Sequence, residues 1–229
     1  MTAQDLTLLD NPVWHSLQTT HRALAMGTTT AQRYPADVLS FVGCDREASN
    51  PLENIQPWVN SEEPVFVVGD LPPLPSHWSV QARLDCAQMV CHQLHTVPPK
   101  EPAEIVRLTE EERPEMFTFI NSIQPGYFLL NTPLLGSYYG IRNNGQLVAI
   151  AGERMRMTGL TEISAVCTHP DFTGKGLAQQ LMIHVSNNIY AQGRVPFLHV
   201  LSTNERAIRL YEHLGFTTRR EIPFWKIMR

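Results

Sequence analysis

Apolar positions along this chain change their period several times, and each change predicts an element. Asn11 and Pro12 have the form of an N-cap followed by a proline in the first helical position. They predict a helix with Trp14, Leu17, His21 and Leu24 along one face, ending at Gly27. The unbroken apolar run "PVFVVG", residues 64–69, predicts a buried strand. A second strand is expected within "WSVQARLDCAQMVC", where Val80, Ala82 and Leu84 alternate with polar residues. Residues 45–63 carry few regular signals. "HTVPPKEPAE", residues 95–104, is polar and rich in proline, as a linker or crossing between subdomains would be. It divides an N-terminal α/β region, residues 1–100, from a more regular region, residues 104–229.

In the second region "IVRL" predicts a short strand, and Thr109 with Glu112 forms a capping box for a helix carrying Met116, Phe117 and Ile120. "YYGIRNNGQLVAIAGERM" predicts two strands joined at Asn143-Asn144-Gly145, a hairpin turn, and "EISAVCT" a third. A glycine loop then opens a helix with Leu177, Leu181, Val185 and Ile189 at every fourth position. After the strand "FLHVLS", Asn204 caps a helix that is apolar at Ala207, Leu210, Tyr211 and Leu214 and stops at Gly215. Strands over "FTTRREI" and "FWKIM", with Pro223 between them, are expected to close the chain.

Composition narrows the function classes. At 229 residues and 43% hydrophobic content the chain can bury a substantial core. A net charge of -4 gives it no electrostatic reason to seek nucleic acid or an anionic membrane. "MTAQDLTLLDNPVWH" has neither the basic region nor the apolar run of a secretory leader, and no run is long enough to span a bilayer. Cys44, Cys86, Cys91 and Cys167 lack C-x-x-C spacing and are read as reduced thiols, so a cytoplasmic setting is expected. His15, His21, His77, His92 and His95 lack ligand spacing, and no metal is expected.

The chemistry-bearing stretch is "THPDFTGKGLAQQL", Thr168 to Leu181. Unpaired N–H groups at a helix start, with the positive end of its dipole, suit a phosphate, and glycines there remove Cβ atoms that would hold an anion away. A nucleotide P-loop is excluded, because His169 stands where its first glycine belongs and Gly176 follows the lysine. A Rossmann fingerprint is excluded by Gln179 in the third glycine position. Taken alone, the loop is either a phosphate cradle or a plain turn.

A second motif decides between these. Thr173-Gly174-Lys175-Gly176-Leu177-Ala178 resembles the CoA-binding loop of the GNAT superfamily of acetyl-CoA-dependent N-acetyltransferases, with Thr173 departing from the usual arginine or glutamine. Downstream, Asn204-x-x-Ala207-x-x-Leu210-Tyr211-x-x-Leu214-Gly215-Phe216 is similar to that family's second motif without a mismatch. The resemblance covers roughly residues 104–229 and is closer still to a bacterial branch with an extra N-terminal region. It implies an α/β (α+β) fold with a mixed, mostly antiparallel sheet, flanking helices and splayed central strands. Residues 1–100 are then either a degenerate second GNAT half or an unrelated cap.

The resemblance also implies the chemistry. The CoA pyrophosphate would sit on the N–H groups of residues 174–178, and the pantetheine would run along Val166, Cys167 and Thr168. Tyr211 stands where the family's general acid does, and Glu162 where some members carry a base. Both have plainer readings, as core aromatic and strand-end carboxylate. Asn204 completes the expected contacts, and His199 could face either the groove or the core. The expected partners are acetyl-CoA and an amine, small or peptidic, bound by a monomer or homodimer. Tyr127, Tyr138 and Tyr139 are expected near the acceptor. The competing class is a non-catalytic acyl-CoA sensor, which would have no need of an acid at Tyr211.

Overall fold

A computed structural model describes residues 6–229. The first five residues, part of the stretch read above as lacking a leader, lie outside the described residues. The N-terminal region contributes α1 (Pro12–Gln18), β1 (Met26–Gly27), β2 (Ala31–Arg33), β3 (Phe41–Cys44), α2 (Pro51–Ile55), β4 (Val65–Val68) and β5 (Ser79–Cys91). After the linker come β6 (Ile105–Leu108), α3 (Arg113–Ile123), β7 (Tyr138–Asn143), β8 (Gln146–Met157) and β9 (Leu160–Thr168). The chain closes with α4 (Leu177–Ala191), β10 (Val195–Leu201), α5 (Glu205–His213) and β11 (Phe216–Met228). Among the described residues no helix is long and apolar enough to cross a membrane.

The strands form one sheet in the order β1-β2-β3-β4-β11-β5-β10-β9-β8-β7-β6. Pairing is antiparallel except for β3 with β4 and β9 with β10. The order is interleaved at its centre. β11, from the end of the chain, lies between β4 and β5 of the N-terminal region, and β5 lies between β11 and β10. Outward from that centre the two sides match: each has an antiparallel neighbour, then a parallel pair, then further antiparallel strands.

Local chemistry explains most of these elements. Asn144 and Gly145 turn the β7–β8 hairpin at φ 49° and 80°, the left-handed pair that suits a two-residue turn. The Thr109–Glu112 capping box forms as expected and opens a 3-10 turn ahead of α3. In that helix Phe119 is buried beside Met116 and Ile120, whereas Phe117 is exposed. Leu181, Val185 and Ile189 pack under α4 and Tyr211 and Leu214 at the end of α5, all in one cluster with β8, β9 and β10. Gly215 (φ 94°) ends that segment where a Cβ would come within 2.2 Å of the Gln93 carbonyl.

Four expectations need correction. The first helix stops at Gln18, and Asn11 makes no side-chain cap; its Nδ2 donates to the Cys44 carbonyl at 2.7 Å. His21 is drawn away from the helix into a buried network. Its Nε2 lies 3.0 Å from the Leu135 carbonyl and its Nδ1 bonds Ser16 and Tyr34. β1, β2 and β3 were not foreseen, and Val80 is exposed rather than core, with β5 burying only its second half. Pro223 does not separate two strands. Its carbonyl accepts from Gly69 N–H, so its missing N–H faces the end of β4, where β4 no longer supplies a partner.

α1 lies against β3 so closely that a Cβ on Gly43 would stand 2.5 Å from Trp14 N and 2.7 Å from its Cα. Both are backbone atoms, which a rotamer change cannot move. Gly43→Ala is therefore expected to lower stability by about 1–3 kcal/mol in denaturant melts. Wild-type stability would mean that α1 shifts freely on the sheet.

Candidate active site

The parallel neighbours β9 and β10 pair only over Leu160–Glu162 opposite Val195–Phe197. Beyond that point they diverge, so the β10-facing edge of β9 from Ile163 to Thr168 has no strand partner among the described residues. Its other edge pairs with β8, with a register shift that sets Ala165 and Val166 against Ala151 alone. Ala165 takes φ 54° there, a left-handed conformation that costs a non-glycine roughly 1–2 kcal/mol. A strained bulge beside an unpaired edge is a feature commonly found at functional sites.

The opening is a cavity of about 350 Å³. Ile163 to Val166 form one wall and Leu198 to Leu201 the other. Asn204, Ala207 and Tyr211 of α5 line the cavity as well, as do Phe41 and Phe66 of the N-terminal region, Phe224 of β11, Tyr127 and Arg154. Tyr211 is almost fully buried, and its hydroxyl has no hydrogen-bond partner among the described residues. Burial, and then the neighbouring Cys167 thiol, push the phenol above its ordinary value of 10, so it carries its proton at neutral pH. Asn204 caps α5, accepting from Ala207 N–H at 3.2 Å.

At the start of α4 the N-cap is Gly176, at φ 74°, which has no side chain to accept the first N–H groups. Gly174 also has positive φ, 79°, and a Cβ at either glycine would meet nothing within 4 Å. The glycines are thus required by backbone conformation, and the donors of the first turn open onto free space, which fits a phosphate group. Thr173 Oγ1 donates to the Pro170 carbonyl, and the Lys175 ammonium sits 4.5 Å over the Phe172 ring. Leu177 and Ala178 begin the helix. Cys167 and Thr168 are absent from the cavity wall. Cys167 is buried on the α3 side, and burial pushes its thiol up to about 11.

Glu162 is fully buried and is not part of the cavity wall. A second bulge, in β8, sets Arg154 and Met155 opposite Glu162. Glu162 Oε2 accepts from Met155 N–H at 3.2 Å and Arg154 Nε at 2.8 Å, and Oε1 accepts from Arg154 Nη2 at 2.6 Å and His199 Nδ1 at 2.7 Å. Burial alone would raise its pKa. The Arg154 guanidinium and the His199 hydrogen bond outweigh that and lower it from 4.5 to about 2. His199, which was open in the sequence, lines the cavity with both ring nitrogens engaged. Nε2 is 3.0 Å from Gln88 Nε2, whose amide also donates to the Leu9 carbonyl and accepts from Arg219. Of the three tyrosines expected near the acceptor, only Tyr127 lines the cavity. Tyr138 is buried against Phe128, and Tyr139 packs on His184.

Comparison with known proteins agrees with this architecture. A family model described as FR47-like protein matches residues 138–225. A solved structure from Novosphingobium aromaticivorans, assigned to the GNAT family of acetyltransferases, is 32% identical with a TM-score of 0.86, covering 96% of this chain and 98% of that one. A GCN5-related N-acetyltransferase from Kribbella flavida shares the fold at 15% identity, TM-score 0.62, over 99% of this chain and 96% of that one. The N-alpha-acetyltransferase RimI of Mycobacterium tuberculosis is 31% identical over 84 residues, 34% of this chain and 51% of that protein, so the match spans about half the length of that relative. The chain belongs to the GNAT family of acyltransferases.

The buried carboxylate gives a pH-dependent expectation. A depressed pKa contributes stability that is complete above the unfolded value, near 4.5, and is lost as pH falls toward 2. Glu162→Gln should cost about 3–5 kcal/mol at pH 7, and the gap to wild type should close as pH drops below 4.5. A gap that stays constant along the acid limb would mean that the charge of Glu162 contributes nothing.

Proposed function

We propose that this protein is an N-acetyltransferase that moves the acetyl group of acetyl-CoA to a primary amine by direct attack in a ternary complex. The observation that carries the reading is the unpaired edge of β9, which borders the same cavity as Tyr211. Acetyl-CoA brings the activated acetyl group. The N–H groups of residues 174–178 hold its pyrophosphate, and the free edge at Val166 and Thr168 pairs with the pantetheine as an extra strand would. A backbone N–H of the bulge at Ile163–Val166 donates to the acetyl carbonyl, where negative charge develops during attack.

Tyr211 is the general acid. Its hydroxyl is protonated, unbonded and in the cavity, so it can donate to the departing thiolate and regain a proton through water. For Glu162 the geometry favours a positioning role over that of a base, since Arg154, His199 and Met155 N–H share both its oxygens. The amine enters from the side of Phe41, Phe66 and Tyr127. Residues 1–100, whose strands mirror those of 104–229, act as a degenerate GNAT-like half that walls the acceptor site. The relative named an N-alpha-acetyltransferase is in keeping with a primary amine as acceptor.

The test is thiol release from acetyl-CoA with a panel of amines. Tyr211→Phe should lower turnover by about 10²–10³-fold while CoA affinity and melting temperature hold, because the cradle is backbone and the ring still packs against Phe216. A folded variant with unchanged turnover would reduce Tyr211 to a core aromatic. Gly176→Val puts a β-branched residue at φ 74° over the open donors and should weaken CoA binding, read by calorimetry, with the fold kept.

A further inference from the structure

On the acceptor side of the cavity the rings form a connected cluster. Phe41 lies 5.9 Å from both Phe66 and Phe224, and Phe66 lies 5.9 Å from Tyr127. Set into this apolar surface, Arg154 is the one formally charged side chain among the described residues that line the cavity, and its guanidinium sits 5.0 Å over the Phe41 ring. Nε and Nη2 are fixed by the Glu162 carboxylate at 2.8 and 2.6 Å. Nη1 has no acceptor among the described residues. Clamped on one edge and stacked on one face, the guanidinium cannot swing away, so its free N–H groups are directional donors already oriented for an anionic oxygen.

We infer that Arg154 reads a carboxylate on the acceptor, and that the acceptor is a small amine bearing that carboxylate and an apolar side group: an apolar or aromatic amino acid. The inference rests on the acetyl-transfer reading above. Volume agrees with it. At about 350 Å³ the cavity is at the small end of ligand sites, roughly 300–1,000 Å³, and it must also receive the thioester. The rings of Phe41, Phe66 and Phe224 then cover the apolar group.

The experiment uses matched acceptors and the intact protein. Leucine and phenylalanine are compared with 3-methylbutylamine, phenethylamine and the two amino-acid amides, with thiol release as the readout. The carboxylates should be preferred by at least about 10-fold in kcat/KM, the worth of a hydrogen bond to a charged group. Arg154→Gln alone would strand a buried carboxylate, so the variant is Arg154→Gln with Glu162→Gln, and in it the preference should collapse toward unity. If that variant does not fold, 3-phenylpropionate with the wild-type protein serves instead, and it should compete with phenylalanine. Equal turnover of the carboxylate-free amines, or no competition by 3-phenylpropionate, overturns the inference and leaves acetyl transfer standing. No thiol from any acceptor, but calorimetric binding of 3-phenylpropionate, sinks acetyl transfer and keeps the carboxylate subsite. Absence of both sinks both.

Discussion

The antiparallel ladder between β5 and β11 is the constraint on which the rest of the structure depends. It runs from Phe216 opposite Cys91 to Met228 opposite Ser79, at the middle of the sheet. Each of its strands has its second edge on a strand from the other half of the chain, β10 for β5 and β4 for β11. Removing either strand would leave an unpaired edge in the centre of an apolar core, which a folded protein does not tolerate. The two halves are thus locked by exchange of strands. Phe41 and Phe66, on β3 and β4, are consequently held at a fixed distance from the open edge of β9. A cavity wall drawn from the far half of the chain can be precise only if the sheet between is continuous.

That continuity also explains where the sheet is allowed to fail. β10 is held by β5 along Phe197–Leu201, so it can part from β9 after Phe197 without losing its ladder. β9 keeps its bonds to β8 on the other edge. The gap is therefore bordered by strands supported from behind, and among the described residues no strand pairs with the β9 edge that faces it. Those properties suit a polar chain laid between them. The positive φ of Ala165 is strain retained at the β8–β9 bulge, beside the gap.

Much of this was legible in the sequence where the signal was local. The Asn-Gly turn, the Asn204 cap and the four-residue stripe of α4 each depend on neighbours within one or two turns, and each formed. β1 and β2 escaped because strands of two and three residues are too short to show a period, and the four residues of β3 include Gly43, a poor strand former. Pro223 was read as a break because the rule assumes a partner on both sides, and here one side has run out. The helix through His21 failed because its imidazole is claimed by Leu135, Ser16 and Tyr34, partners as far as 114 residues away. Glu162 was open between a base and a strand-end carboxylate. Its binding to Arg154 and His199 depends on a bulge in β8 and on the parallel register with β10, neither of which leaves a mark on composition or spacing.

The ion pair is the least economical part of the site in terms of stability, since burying two charges costs several kcal/mol per ion before their attraction offsets it. Packed hydrophobic residues would serve the fold as well. What the pair adds is orientation. With Glu162 ionised at any pH above about 2 and both its oxygens engaged, it is poorly suited to take a proton from the amine. On the proposed reaction it has no need to. A neutral amine attacking a thioester loses one N–H proton while the departing sulfur gains one, so the proton balance closes within the site. Tyr211 supplies the sulfur's proton, and water can carry the nitrogen's proton back to the phenol. For an amine that arrives neutral, this balance makes a strong base in the cavity unnecessary.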